Sequence, residues 1–232
     1  MNFEHFCNLY SLGALHSARS LSGGTVSRVW RLETEQGVFL LRTLTGRDQG
    51  EREWAITRTL SKNGFPRFPA IRTAGGAPCT ELNGVWYQVQ ELVDGDMPDP
   101  TLPGVAAAMG QTVKELASCM PEGLIHGDLG PWNMLSTPDG LFVIDFGAVR
   151  EGDSYFDFAA AFAGVINHTP PEDRARACGE FLRGAEADPA RLLSQLRLWA
   201  QEGIARWTGK NDRMVSRFIN ALSWAEENVY EL

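Results

Sequence analysis

Two carboxylates and one amide carry the chemistry most legible in this chain: Asp128, Asn133 and Asp145, within LIHGDLGPWNMLSTPDGLFVIDFG, Leu124 to Gly147. Met134 to Ser136 and Leu141 to Ile144 read as short apolar strands, and Thr137-Pro138-Asp139-Gly140 between them is a strong turn signal. A hairpin centred near Asp139 places Asn133 opposite Asp145, give or take one step of register. Asp128 lies five residues before Asn133, on the loop feeding the same end. The three side chains offer hard oxygen ligands or a general base. Such a set suits magnesium and a phosphoryl group, because magnesium takes carboxylates, water and phosphate oxygens. Zinc would want more His or Cys.

The elements that must position these groups change in character along the chain. The first hundred residues read mainly as strands and turns. Val26 to Glu33 and Val38 to Thr43 are strands joined by a turn at Gln36-Gly37, followed by a helix over Glu51 to Asn63. On that helix Glu53, Ile56 and Leu60 share a face. Further short strands are expected near Ala70 to Thr73 and over Val85 to Leu92. Asp94 to Pro103 reads as a linker, and Val105 to Met120 as an Ala-rich helix. From Phe156 to Glu231 the pattern is helical, broken by HTPPED and by ADPA. A β-rich first part and a helical second part predict an α+β chain of two lobes, residues 1–93 and 94–232. A ligand is expected in the cleft between such lobes.

Composition narrows the partners. The chain has 232 residues and a net charge of −8, which disfavours nucleic acid, whose phosphates need a basic surface. No apolar stretch approaches membrane-spanning length. MNFEHFCNLYSLGALHSARS lacks a basic n-region and reads as a first helix, not a signal peptide. Cys7, Cys79, Cys119 and Cys178 are scattered and form no CxxC pair, so reduced thiols and a cytoplasmic location are expected.

His126-Gly127-Asp128, four residues, Asn133, and then Ile144-Asp145-Phe146 together resemble the aminoglycoside phosphotransferase and choline kinase superfamily. The resemblance implies a protein-kinase-like fold with a β-rich N-lobe and a mostly helical C-lobe, and it implies a role for each matching position. Asp128 would orient the acceptor hydroxyl and take its proton, and Asn133 and Asp145 would hold Mg2+ against the ATP phosphates. His126 would support the loop, and Asp157 would brace it. Gly23 and Gly24, before the first strand, would let backbone N–H groups approach phosphates. Arg42 stands where protein kinases carry a phosphate-binding lysine, which an arginine replaces without being equivalent. Glu53 would be its ion-pair partner, with Glu51 the competing choice. Gln88 to Gly95 resembles the connector whose backbone, near Glu91 to Val93, bonds the adenine edge.

The resemblance therefore implies an ATP- and Mg2+-dependent kinase for a small hydroxylated molecule, with GTP as a possible donor. The alternative is a non-catalytic kinase-like protein that binds a nucleotide or a partner, which the arginine at 42 would suit. The acceptor is not carried over, because a single helix fills the space where many relatives have several. Glu202, Glu226 and Glu227 could form acidic subsites or solvated helix faces. Trp199, Trp207 and Trp224 could line a pocket or pack the core.

Overall fold

In the computed structural model the described residues are 1–21, 27–65 and 70–232, and they form two compact units. One runs from Met1 to Ser61 and includes the later strands down to Asp94. The other is Gly95 to Leu232 with Lys62 and the turn after it.

The first unit is a five-stranded antiparallel sheet flanked by helices. Helix α1 (Phe3–Leu9) is capped by Asn2, whose side chain accepts the His5 N–H. The strands are β1 (Leu15–Leu21), β2 (Val29–Thr34), β3 (Gly37–Leu44), β4 (Thr80–Leu82) and β5 (Val85–Glu91), ordered β1-β2-β3-β5-β4. The expected long N-terminal helix is thus a short helix and an edge strand. Gly13, at φ 77°, turns the chain between them, and Leu12 is buried in the core. Phe6, Leu32, Leu41, Tyr87 and Val89 form that core, with the Phe6 and Tyr87 rings 4.9 Å apart. Helix α2 (Arg47–Lys62) starts a turn earlier than the sequence suggests and buries Glu53, Ile56, Thr57 and Leu60. Ala70 makes only an isolated bridge to Gln90, so no strand forms at Ala70 to Thr73.

The second unit is helical around two small sheets. Helix α3 (Val105–Cys119) packs closely on α5 (Pro171–Ala185). A side chain at Gly110 would overlap the Phe181 carbonyl, and one at Gly184 the Ala107 carbonyl. Strand β6 (Leu124–Ile125) pairs with β9 (Arg150–Glu151), and β7 (Met134–Thr137) with β8 (Gly140–Val143). Asp94 to Pro103 is more than a linker, because the Ser136 N–H donates to the Asp96 carbonyl at 2.7 Å and anchors the hairpin. Helix α4 (Tyr155–His168) is apolar nearly all round and buried from Phe156 to Ile166, as expected of a central helix. Helices α6 (Pro189–Trp207) and α7 (Asp212–Asn228) pack on it. A third break, at Thr208 to Asn211 with Gly209 at φ 72°, separates them and was not marked by the sequence pattern.

Candidate active site

The β7–β8 hairpin has Met134 opposite Val143 and Thr137 opposite Gly140. The register is one step from the centre expected, so Ile144 stands opposite Asn133 and donates its N–H to the Asn133 carbonyl at 3.0 Å. Asp145 falls one residue beyond. It adopts a left-handed conformation, φ 60° and ψ 71°, and its side chain accepts the Gly147 N–H at 3.3 Å. A left-handed aspartate is strained relative to glycine but tolerated where its own side chain bonds locally. The turn that follows buries Phe146 against the His126 ring, 4.9 Å between centroids.

Asn133 closes a 3-10 turn begun by Pro131. Its Nδ2 donates to the Asp128 carbonyl at 2.8 Å and to Asp128 Oδ2 at 3.1 Å. Both bonds use the amide nitrogen, which leaves the Oδ1 side of the amide to act as an acceptor or ligand. Asp128 as a whole residue is exposed, yet enough protein surrounds the carboxyl that desolvation raises its pKa. Hydrogen bonding from Trp132 and Asn133 pulls the other way, Asp145 raises it further, and the positive charge of Arg206 lowers it.

The loop carrying Asp128 is held from below. Asp157 on α4 accepts the His126 N–H at 2.7 Å and the Gly127 N–H at 2.9 Å. Gly127 has φ 81°, and a side chain there would overlap the Ala148 carbonyl. His126 is wholly buried; its Nε2 lies 3.1 Å from the Ile144 carbonyl, a geometry that makes Nε2 the donor. Burial lowers its pKa to about 4, so the ring is neutral. The ring thus contacts the strand end through the Ile144 carbonyl.

In the sheet unit, Arg42 on β3 and Glu53 on α2 form a buried ion pair. Arg42 Nε also donates to Gln88 Oε1 at 3.3 Å, and Gln49 donates to Glu53 Oε1 at 2.7 Å. Neither charge is a surface residue. Glu51 instead pairs with Arg47 on the exposed side of α2. Glu91 ends β5 opposite Phe39, and Val93 follows it, both half-buried. Gly23, Gly24 and Val26 lie outside the described residues.

Among the described residues no three His, Cys, Asp or Glu cluster as a metal site. Magnesium needs only one or two protein ligands when phosphate oxygens and water complete its shell. Asn133 Oδ1 and the Asp145 carboxylate are the candidate protein ligands.

The geometry can be set against known proteins. Residues 114–199 match the family model described as the phosphotransferase enzyme family, APH. A sequence search of curated proteins finds no match. Among solved structures, amicoumacin kinase hAmiN in complex with AMP-PNP, Ca2+ and Ami superposes with a TM-score of 0.73 at 15% identity, covering 97% of this chain and 92% of the other. An aminoglycoside phosphotransferase from Alicyclobacillus acidocaldarius gives 0.68 at 14%, covering 97% and 96%. A choline/ethanolamine kinase family protein from Mesorhizobium loti gives 0.56 at 15%, covering 99% and 95%. The fold is the one that these phosphotransferase and kinase structures share. The α+β architecture and the resemblance read from HGD, Asn133 and IDF both hold. The family match spans Asp128, Asn133, Asp145 and Asp157.

Several neighbours of these groups were not legible in sequence. Trp132 stands between Asp128 and Asn133, and only its adjacency could have marked it. Gly164 on α4 leaves room for Pro131, which a side chain there would overlap. Arg206, far along the chain, carried no signal. Of the tryptophans singled out, Trp199 is core, its ring 4.4 Å from Phe218, and Trp224 lies under the Arg174 guanidinium at 5.9 Å.

Proposed function

We propose that this chain is a small-molecule kinase that transfers the γ-phosphoryl group of ATP, with Mg2+, to a hydroxyl of its acceptor. The observation that carries the reading is the convergence of Asp128, Asn133 and Asp145 at the open end of one braced hairpin. Asp128, held by the Asn133 amide, accepts the acceptor's proton as the hydroxyl oxygen attacks phosphorus. Its raised pKa makes it a better base than an ordinary aspartate. When bound, Mg2+ neutralises the phosphate oxygens, and Asn133 and Asp145 would hold it. The remaining requirement is positioning and charge neutralisation, which phosphoryl transfer needs most. The Arg42–Glu53 pair supports the same reading, because a guanidinium fixed by a buried carboxylate is preorganised for phosphate. Glu91 and Val93 supply the backbone edge for adenine, and Gly23 and Gly24 the approach to phosphates; GTP is an alternative donor. A cytoplasmic location suits such chemistry, and no helix among the described residues is long and apolar enough to cross a membrane.

The test is coupled ADP release with Mg-ATP and a panel of hydroxylated acceptors, with Asp128→Ala as control. Turnover stimulated by one acceptor and lost in the variant or in EDTA is the expected result. Acceptor-independent, unaltered ADP release in the variant would sink the assignment. Stabilisation by Mg-ATP with no turnover on any acceptor would favour the non-catalytic, nucleotide-binding alternative.

A further inference from the structure

Arg42, Gln88 and Gln90 form a hydrogen-bonded line on one face of the five-stranded sheet. Arg42 on β3 stands opposite Gln88 on β5, and Leu40 opposite Gln90, so all four residues share that face. Arg42 Nε donates to Gln88 Oε1 at 3.3 Å, and Gln90 Nε2 donates to the same oxygen at 2.9 Å. A guanidinium has donors only, so the oxygen of the Gln88 amide must face it. That oxygen then takes the amino side of Gln90, and neither amide can flip without setting like groups against each other. Gln90 Oε1 is left as an acceptor, with no partner among the described residues. Gln88 is fully buried, and its Nε2 is a donor likewise without a partner among them. Gln90 is half-buried and directly precedes Glu91, where the stretch assigned to the adenine edge begins. Satisfying a buried Arg42 explains the oxygen of Gln88. It does not explain a second glutamine whose fixed amide ends in a free acceptor.

We propose that Gln90 Oε1 reads the nucleotide base, accepting a hydrogen bond from the exocyclic amine of adenine and rejecting the oxo group that guanine carries at the same position. The inference rests on the phosphotransferase reading above and names its phosphoryl donor as ATP rather than GTP. A fixed carbonyl gains a hydrogen bond from the adenine amine and faces an unpaired oxygen in guanine. Adenine also brings a ring-nitrogen acceptor beside its amine, the complement of a free carbonyl and an unfilled donor on neighbouring side chains. Gln88 and Arg42 are positioning residues, because they hold the Gln90 amide in the orientation that discriminates. A glutamine free to turn over would serve both bases. The preference therefore depends on Gln88 as well as on Gln90.

Calorimetric titration of the full chain with Mg-ATP, Mg-GTP and Mg-ITP tests this without knowledge of the acceptor. Inosine has the oxo group of guanine but lacks its amine, so ITP separates the reading of the oxo position from crowding by that amine. Wild type is expected to bind ATP about tenfold or more tighter than either alternative. Gln90→Leu loses about three- to tenfold in ATP affinity, the worth of one hydrogen bond, and holds or gains affinity for GTP and ITP. Gln88→Met keeps Gln90 but releases its amide, so the ATP preference narrows in that variant too. Both variants are checked for a cooperative melt, and Gln90→Leu, at the half-buried position, decides alone if Gln88→Met does not fold. Wild-type affinity for GTP or ITP that matches that for ATP overturns the inference and leaves the kinase reading standing. So does a Gln90→Leu variant with the wild-type preference, or a folded Gln88→Met variant that keeps it in full. Binding of none of the three nucleotides overturns the inference and takes the kinase reading with it.

Discussion

Asp157 accepts the backbone N–H of His126 at 2.7 Å, and both residues are closed off from solvent. Its other oxygen takes the Gly127 N–H at 2.9 Å, so one carboxylate on α4 sets the path of the backbone entering Asp128. Asp157→Ala is expected to cost about 1–3 kcal/mol for each N–H left without an acceptor. Turnover should fall more steeply than stability explains, because Asp128 loses its support. Urea denaturation and steady-state kinetics on the same samples check both. An active, fully stable variant would contradict the bracing role.

The same contact has a pH signature. Burial raises the Asp157 pKa from 3.8 to about 6, so its contribution to stability is complete below the lower value and lost as pH rises through the higher. His126 runs oppositely. Burial lowers its pKa from 6.5 to about 4, so its contribution is complete above 6.5 and lost as pH falls through 4. The two slopes oppose each other over most of this window. Asp157→Asn removes the first and leaves the second, so the variant should gain stability relative to wild type as pH rises between those limits. Parallel profiles from denaturation across that range would contradict it.

Arg42 and Glu53 are a buried pair whose structural and functional contributions can be separated. Removing one partner, as in Arg42→Met or Glu53→Leu, strands a buried charge and should cost about 3–5 kcal/mol. The double variant Arg42→Met with Glu53→Leu should recover most of that stability and none of the affinity for Mg-ATP. Recovery of both would mean the pair serves packing alone.

Trp132 tunes Asp128. Its hydrogen bond to the Asp128 carboxyl lowers a pKa that desolvation raises. In Trp132→Phe the carboxylate loses that support, so its pKa rises and the acid limb of kcat/KM moves to higher pH. An acid limb that stays in place or moves to lower pH would show that the indole does not act on the base.

Gly164 on α4 faces Pro131, and the room it leaves seats the turn that ends in Asn133. Alanine would gain up to about 1 kcal/mol of helix propensity at this position. Overlap with Pro131 should outweigh that gain, so Gly164→Ala is expected to lower the Tm and to raise the Mg2+ concentration needed for half-maximal turnover. An increased Tm would show that the turn yields easily.

Local sequence was enough for the β7–β8 hairpin, the change from strands to helices, and the inward face of Glu53. Turn chemistry at Pro138-Asp139-Gly140 and the three-to-four-residue spacing of Glu53, Ile56 and Leu60 act over a few residues, where the chain's own geometry decides the outcome. Even there the register was uncertain by one step, and pairing of Asn133 with Ile144 resolved it. The N-terminal stretch misled, because Leu15 to Ser20 reads as a continuation of the first helix but is recruited into an edge strand by pairing with β2. Contacts between distant segments left no trace in the pattern. The Arg150–Glu202 bridge and the fit of Gly164 over Pro131 each join residues that come together only when helices pack. Sequence periodicity records which face of an element is buried; it holds no information about which distant side chain meets it, and packing of the whole fold decides that.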